Sequence, residues 1–142
     1  VARQFMKDQG NPTQWDGGYP SASLIEDDIA AGHSFVVEEE GRLVGTFAFI
    51  IGEDPTYQVI EKGAWHFTES YGTIHRIASN GQVRGLSHQV FDFCCQQIPY
   101  LRIDTHEANQ PMQAAVLNYG FRECGIIYVA DGSPRLAYDY HQ

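Results

Sequence analysis

Between Thr73–Ser79, a run that alternates like a strand, and a run with helical spacing lies Gln82-Val83-Arg84-Gly85-Leu86-Ser87-His88. A loop at that junction aims several backbone N–H groups at one spot, and the N-terminus of the helix behind it adds about half a positive charge. Together they form an anion site suited to a pyrophosphate. Gly85 lets the backbone come close where a Cβ would collide. Ser87 is small enough for the same approach, and Arg84 adds a flexible, screened charge. An ordinary strand-to-helix turn that happens to contain a glycine would read the same way, so the segment needs support from elsewhere in the chain.

The remaining reactive side chains exclude more than they suggest. Cys94, Cys95 and Cys124 are an odd number with no CxxC or Cys/His spacing, which fits reduced thiols in a cytoplasmic protein rather than a disulfide framework. Six histidines are scattered, and His106-Glu107 lacks the second histidine of a zinc-protease helix. Sequence spacing therefore indicates no metal.

The elements that would position the loop follow from periodicity and turn chemistry. Val1–Gln9 reads as the tail of an amphipathic helix and Asn11–Pro20 as a loop. Ser23 with Glu26 resembles a capping box opening a short helix that ends near Gly32. Ser34–Glu38 and Arg42–Ile51 flank Glu40-Gly41 as a hairpin, and 52–63 is polar and irregular. Leu86, Val90, Cys94 and Ile98 make one helical stripe that Pro99 ends. Leu101–Thr105 is a short strand. Asn109 and Pro111 start a helix that Gly120 stops. Phe121–Val129 and Arg135–Tyr140 are strands joined through Asp131-Gly132-Ser133. A strand–helix–strand–helix–strand core inside a largely antiparallel frame implies a mixed α/β sheet with helices on both faces.

At 142 residues, 43% apolar, the chain fits a single domain spanning residues 1–142 with one core. Its longest apolar stretch, Leu43–Ile51, is too short for a bilayer, and it has no secretory signal, so no membrane role is expected. A net charge of −9 repels phosphate and argues against nucleic acid as partner. It suits a cationic amine, although many enzymes are acidic without such a reason.

Three segments, in order, resemble the GNAT superfamily of acetyl-CoA-dependent N-acetyltransferases. Gln82-Val83-Arg84-Gly85-Leu86-Ser87 fits its acetyl-CoA signature, with Ser87 where Gly or Ala is usual. Asp104 to Met112 looks like its fifth strand and the start of its fourth helix, and Asn118-Tyr119-Gly120-Phe121 resembles its helix-ending Gly-Phe. The likeness spans Ile74 to Tyr140. It implies the GNAT fold, a twisted, mostly antiparallel mixed sheet with a splayed central strand pair, Thr73–Ser79 and Leu101–Thr105. Pantetheine would enter that cleft against Ile77, Ala78 and Ser79, the Gln82–His88 loop would hold the pyrophosphate, and Asn109 with Met112 would face the arm.

The same resemblance implies direct transfer of an acetyl group to a primary amine of a small molecule or peptide. A catalytically silent acyl-CoA-binding module is the alternative. The family's helix-four tyrosine position is Val116 here, and Tyr119 lies about 300° further round the helix. His75, His106 or Asp104 would be the base, although a strand histidine also serves structure alone. Trp15, Asp16 and Tyr19 would form the acceptor pocket, or Trp15 could simply plug the core. The family's first strand and the front of its first helix are expected to be missing. Ser34–Glu38 would then expose an edge that a second copy could cover, so a homodimer is one expectation. A doubly wound nucleotide fold is excluded, since no GxGxxG is present.

Overall fold

The computed structural model describes residues 32–79 and 85–142. The helices expected at 1–9 and 23–32 and the loop holding Trp15, Asp16 and Tyr19 lie outside them. The described part contains six strands and two helices: β1 (Ser34–Glu39), β2 (Arg42–Ile51), β3 (Gly72–Ser79), α1 (Leu86–Gln97), β4 (Tyr100–Thr105), α2 (Gln110–Tyr119), β5 (Arg122–Tyr128) and β6 (Pro134–His141). They fall into two compact units, interleaved in sequence: residues 32–49 with 74–90, and residues 50–73 with 91–142.

In the first unit the strand order is β1-β2-β3. Glu40 and Gly41 both take left-handed backbone angles, φ 54° and 77°, the conformation that closes a two-residue hairpin with the strands' own twist. β1 and β2 pair antiparallel from Glu39↔Arg42 to Ser34↔Ala48, with a register shift at Val37/Glu38. Val44, Phe47, Ala48 and Phe49 are buried, which is why this stretch is a near-continuous apolar run rather than a strict alternation.

The second unit has the order β4-β6-β5. β4 runs antiparallel to β6 from Tyr100↔His141 to Thr105↔Leu136. β5 pairs with β6 across a bulge between Glu123 and Gly125 that leaves Cys124 as the extra residue. α2 starts as its sequence dictates: the Asn109 side chain accepts from the Met112 N–H, and Pro111 occupies the first turn. It ends at Gly120, φ 119°, where the Gly120 and Phe121 N–H groups return to the Val116 carbonyl.

Residues 52–63, read as irregular, carry a 3-10 turn at Pro55–Tyr57 capped by Asp54, and a bridge between Glu61 and Ile126. Tyr57, Tyr71, Tyr100, Cys124, Ile127 and Ala137 form a buried cluster with Ile60, Trp65 and Val129 against it. A second aromatic group joins Phe91, Tyr119, Phe121 and Tyr140, ring centroids 5.0–5.4 Å apart along the chain of contacts. Burial of rings on this scale dominates a small core.

Candidate active site

In the first unit the start of α1 is seated by a glycine on β2. A Cβ on Gly45 would stand 2.6 Å from Leu86 Cδ2 and 2.8 Å from the Ala78 carbonyl oxygen. Only a residue without a side chain lets the first turn of α1 and the end of β3 come this close to β2. Leu86 is 5% exposed, so its side chain anchors the helix while its backbone faces the N-terminal end. Gly85, immediately before it, has φ 75°, and the position its Cβ would take meets nothing within 4 Å among the described residues. The first bond of α1 runs from the Gln89 N–H to the Gly85 carbonyl, so the N–H groups of Leu86, Ser87 and His88 precede the intrahelical ladder. This arrangement fits a phosphate group, which would fill the space a side chain would take. Gln82, Val83 and Arg84 lie outside the described residues.

β3 carries His75, Ile77, Ala78 and Ser79, of which Ala78 is buried and the others half-buried. Between His75 and Ile77, Arg76 adopts φ 53°. A left-handed conformation costs a residue with a Cβ about 1–2 kcal/mol, and such strain gathers at functional sites. It falls in β3 just before the residues expected against pantetheine. Nothing in Thr73-Ile74-His75-Arg76-Ile77-Ala78-Ser79 announces it, because no Gly or Asn marks the position.

In the second unit the end of β4 brings together several expected residues. Tyr57, buried, donates its hydroxyl to Asp104 Oδ2 at 2.6 Å. Burial and the neighbouring Asp104 charge push the Tyr57 phenol well above its ordinary value, so it remains a donor. Next along β4, the Thr105 hydroxyl is buried with no partner among the described residues, an orphan of the kind a ligand or water satisfies. His106 accepts the Ala108 N–H at Nδ1, 3.0 Å. In the neutral ring the proton then sits on Nε2, which leaves no free lone pair for base catalysis. Asn109 spends its side-chain carbonyl as the cap of α2, with Met112 half-buried one turn on.

Other candidate groups are engaged in packing. Val116 is fully buried. The Tyr119 hydroxyl donates to Asp92 Oδ1 at 2.7 Å and contacts Cys95 Sγ at 3.6 Å, which ties α2 to α1. Cys94 and Cys95 are buried; burial, then Cys95, pushes the Cys94 thiol up to about 12. Neither is a nucleophile at neutral pH.

Sequence reasoning missed a buried cation. Arg102 is 7% exposed, with its guanidinium carbon 4.0 Å from the Tyr71 ring centroid and 4.2 Å from that of Trp65. Its Nη2 donates to the Phe67 carbonyl and its Nε to the Tyr100 hydroxyl. Tyr100 in turn donates to Asp139 Oδ2 at 2.7 Å. A buried charge is held this way by rings and acceptors together. The aromatic partners come from 65–71, a stretch with no regular period.

No family model and no curated protein sequence matches the chain. Solved structures do. A GNAT-family acetyltransferase from Streptococcus agalactiae 2603 is 35% identical, over 98% of this chain and 82% of that one, with a TM-score of 0.83. The chain belongs to the GNAT family of acetyltransferases. A GNAT-family acetyltransferase from Listeria monocytogenes 4b F2365 is similar at 20% identity over 98% and 82% of the two chains, TM-score 0.70. An acetyltransferase from Bacillus subtilis, in complex with CoA, shares the fold at 13% identity over 87% and 86%, TM-score 0.62. The α/β GNAT fold expected from the three motifs is therefore the fold of this protein.

Proposed function

We propose that this protein transfers an acetyl group from acetyl-CoA directly to a primary amine of a small molecule or peptide, with no covalent enzyme intermediate. The observation that carries the reading is Gly85: left-handed, open on its Cβ side among the described residues, and placed at the N-terminus of a helix seated on Gly45. The CoA complex of the Bacillus subtilis acetyltransferase, similar in fold, supports it. Acetyl-CoA supplies the acetyl group as a thioester, an acyl donor that a neutral amine attacks.

Several residues then have roles. The backbone of Gly85, Leu86, Ser87 and His88 binds the phosphates, together with Gln82, Val83 and Arg84. The family resemblance assigns the pantetheine arm to Ile77, Ala78 and Ser79, which follow Arg76 on β3, and to Asn109 and Met112 at the start of α2. Asp104, held by Tyr57, attracts the acceptor's ammonium and takes the proton it must lose before attack. His75 is the second candidate for that proton, whereas His106 has its Nδ1 already occupied. With Val116 buried and Tyr119 bonded to Asp92, water protonates the departing thiolate. Trp15, Asp16 and Tyr19 would complete the acceptor pocket.

CoA release measured against a panel of small amines, polyamines and peptides tests this. Turnover with at least one acceptor is expected, and Asp104→Asn should lower it roughly 10²-fold while leaving acetyl-CoA affinity in place. Binding without turnover on any acceptor would favour the silent acyl-CoA-binding module instead.

A further inference from the structure

A second group of reactive side chains lies apart from the residues assigned above. His66, from the segment between β2 and β3, meets Cys124 on β5 and Asp139 on β6. His66 Nδ1 is 2.6 Å from Asp139 Oδ1 and 3.4 Å from Cys124 Sγ, and one ligand atom of each of the three residues lies within 4.8 Å of the others. We propose that these three residues form a binding site for a divalent zinc-like ion that fastens the 58–71 segment to β5 and β6.

The donor set is that of a borderline ion. Imidazole nitrogen, thiolate sulfur and carboxylate oxygen together suit Zn2+ over Mg2+ or Ca2+, which prefer oxygen alone. Zn–N and Zn–S bonds of about 2.0 and 2.3 Å at tetrahedral angles put N and S about 3.5 Å apart; the observed 3.4 Å already matches. The N–O edge should be about 3.4 Å, so the 2.6 Å contact must open by about 0.8 Å when the shared proton leaves. His66, with 28% of its side chain exposed, gives that movement room and leaves a fourth position for water. Binding releases the thiol proton to solvent and shifts the imidazole proton from Nδ1 to Nε2, so that Nδ1 coordinates as a neutral ligand, and no bond between heavy atoms breaks.

The surroundings are built to hold these ligands. Cys124 is the extra residue of the β5 bulge, and bulges re-aim a side chain in this way. The other oxygen of Asp139, Oδ2, accepts the His66 N–H at 2.8 Å and the Tyr100 hydroxyl at 2.7 Å, the outer-shell bonding that fixes a carboxylate ligand. The segment leading into His66 is pinned at two points. Glu61 and Ile126 exchange backbone bonds of 2.8 and 2.9 Å, and Trp65 Nε1 donates to the Tyr57 carbonyl. A Cβ on Gly63 would stand 1.8 Å from the Cys124 carbonyl oxygen, so no other residue permits this approach.

Titrating chelator-treated, tag-free protein with Zn2+ by calorimetry, and with Co2+ by absorption, decides the matter without any activity assay. One equivalent is expected, with a thiolate-to-cobalt charge-transfer band and a rise in Tm. Cys124→Ser should abolish the band, and His66→Ala, at a partly exposed position, should weaken binding at least about tenfold while far-UV circular dichroism stays native. Tyr100→Phe should cost 10–100-fold through the outer shell. Sub-stoichiometric uptake, a missing band, or equal affinity in Cys124→Ser would overturn the site. Acetyl-CoA binding, read separately, is independent of all three outcomes.

Discussion

Tyr57 and Asp104 are 47 residues apart and form one of the shortest side-chain bonds in the molecule, 2.6 Å. A bond to a charged acceptor contributes about 1.5–3 kcal/mol, so Tyr57→Phe should lower the unfolding free energy in urea by that order. The phenol's raised value has a sign. A group that holds its proton more tightly when folded contributes stability that is complete below its unfolded value, about 10, and that is lost as pH rises through the folded value. Spectroscopic titration should therefore find Tyr57 still protonated where exposed tyrosines have ionised, and its ionisation should coincide with alkaline unfolding. Ionisation of every tyrosine near 10 in folded protein would contradict the burial. The buried thiols Cys94 and Cys95 give a matching expectation: a thiol reagent at neutral pH should label them only after denaturation, and rapid labelling would reopen a covalent route.

At the scale of elements, glycines decide where helix and strand may touch. Gly45→Val places methyl groups into Leu86 and the Ala78 carbonyl. It should destabilise by about 1–3 kcal/mol and, by lifting the start of α1, weaken acetyl-CoA binding too. An undisturbed affinity would show that the seat does not position the loop. Elements of this kind were legible in the sequence because their signals are local. The α1 stripe of Leu86, Val90 and Cys94, the Asn109 cap, Gly120, and the Glu40-Gly41 turn each sit within a few residues of what they determine. Their observed bounds differ from expectation by one or two residues. The pairing of Tyr57 with Asp104, the stacking of Trp65 and Tyr71 on Arg102, and the convergence of His66, Cys124 and Asp139 were not legible. Those contacts span 31 to 73 residues, and each has one partner in 57–71, a stretch with no period to read. The left-handed Arg76 escaped for another reason: a strained residue is held by its surroundings and not by its own preference.

Across the whole molecule, the formal charge of −9 sets opposite conditions for the two substrates. A cationic amine is drawn in and a polyanionic cofactor repelled, so the phosphates need a concentrated local donor set such as the N-terminus of α1. Raising salt from about 0.01 to 0.15 M, which shortens the screening length from about 30 to 8 Å, should raise KM for a cationic acceptor more than for a neutral one. Equal KM changes for the two would separate net charge from acceptor capture. The central claim, that the Gly85 loop is where acetyl-CoA is held, is met most directly by isothermal titration of acetyl-CoA into the wild-type protein and into Gly85→Asp. A side chain there is strained at φ 75° and brings a carboxylate against the phosphates. Saturable binding to the wild type that disappears in the variant is the predicted result; equal affinity in both would contradict the account.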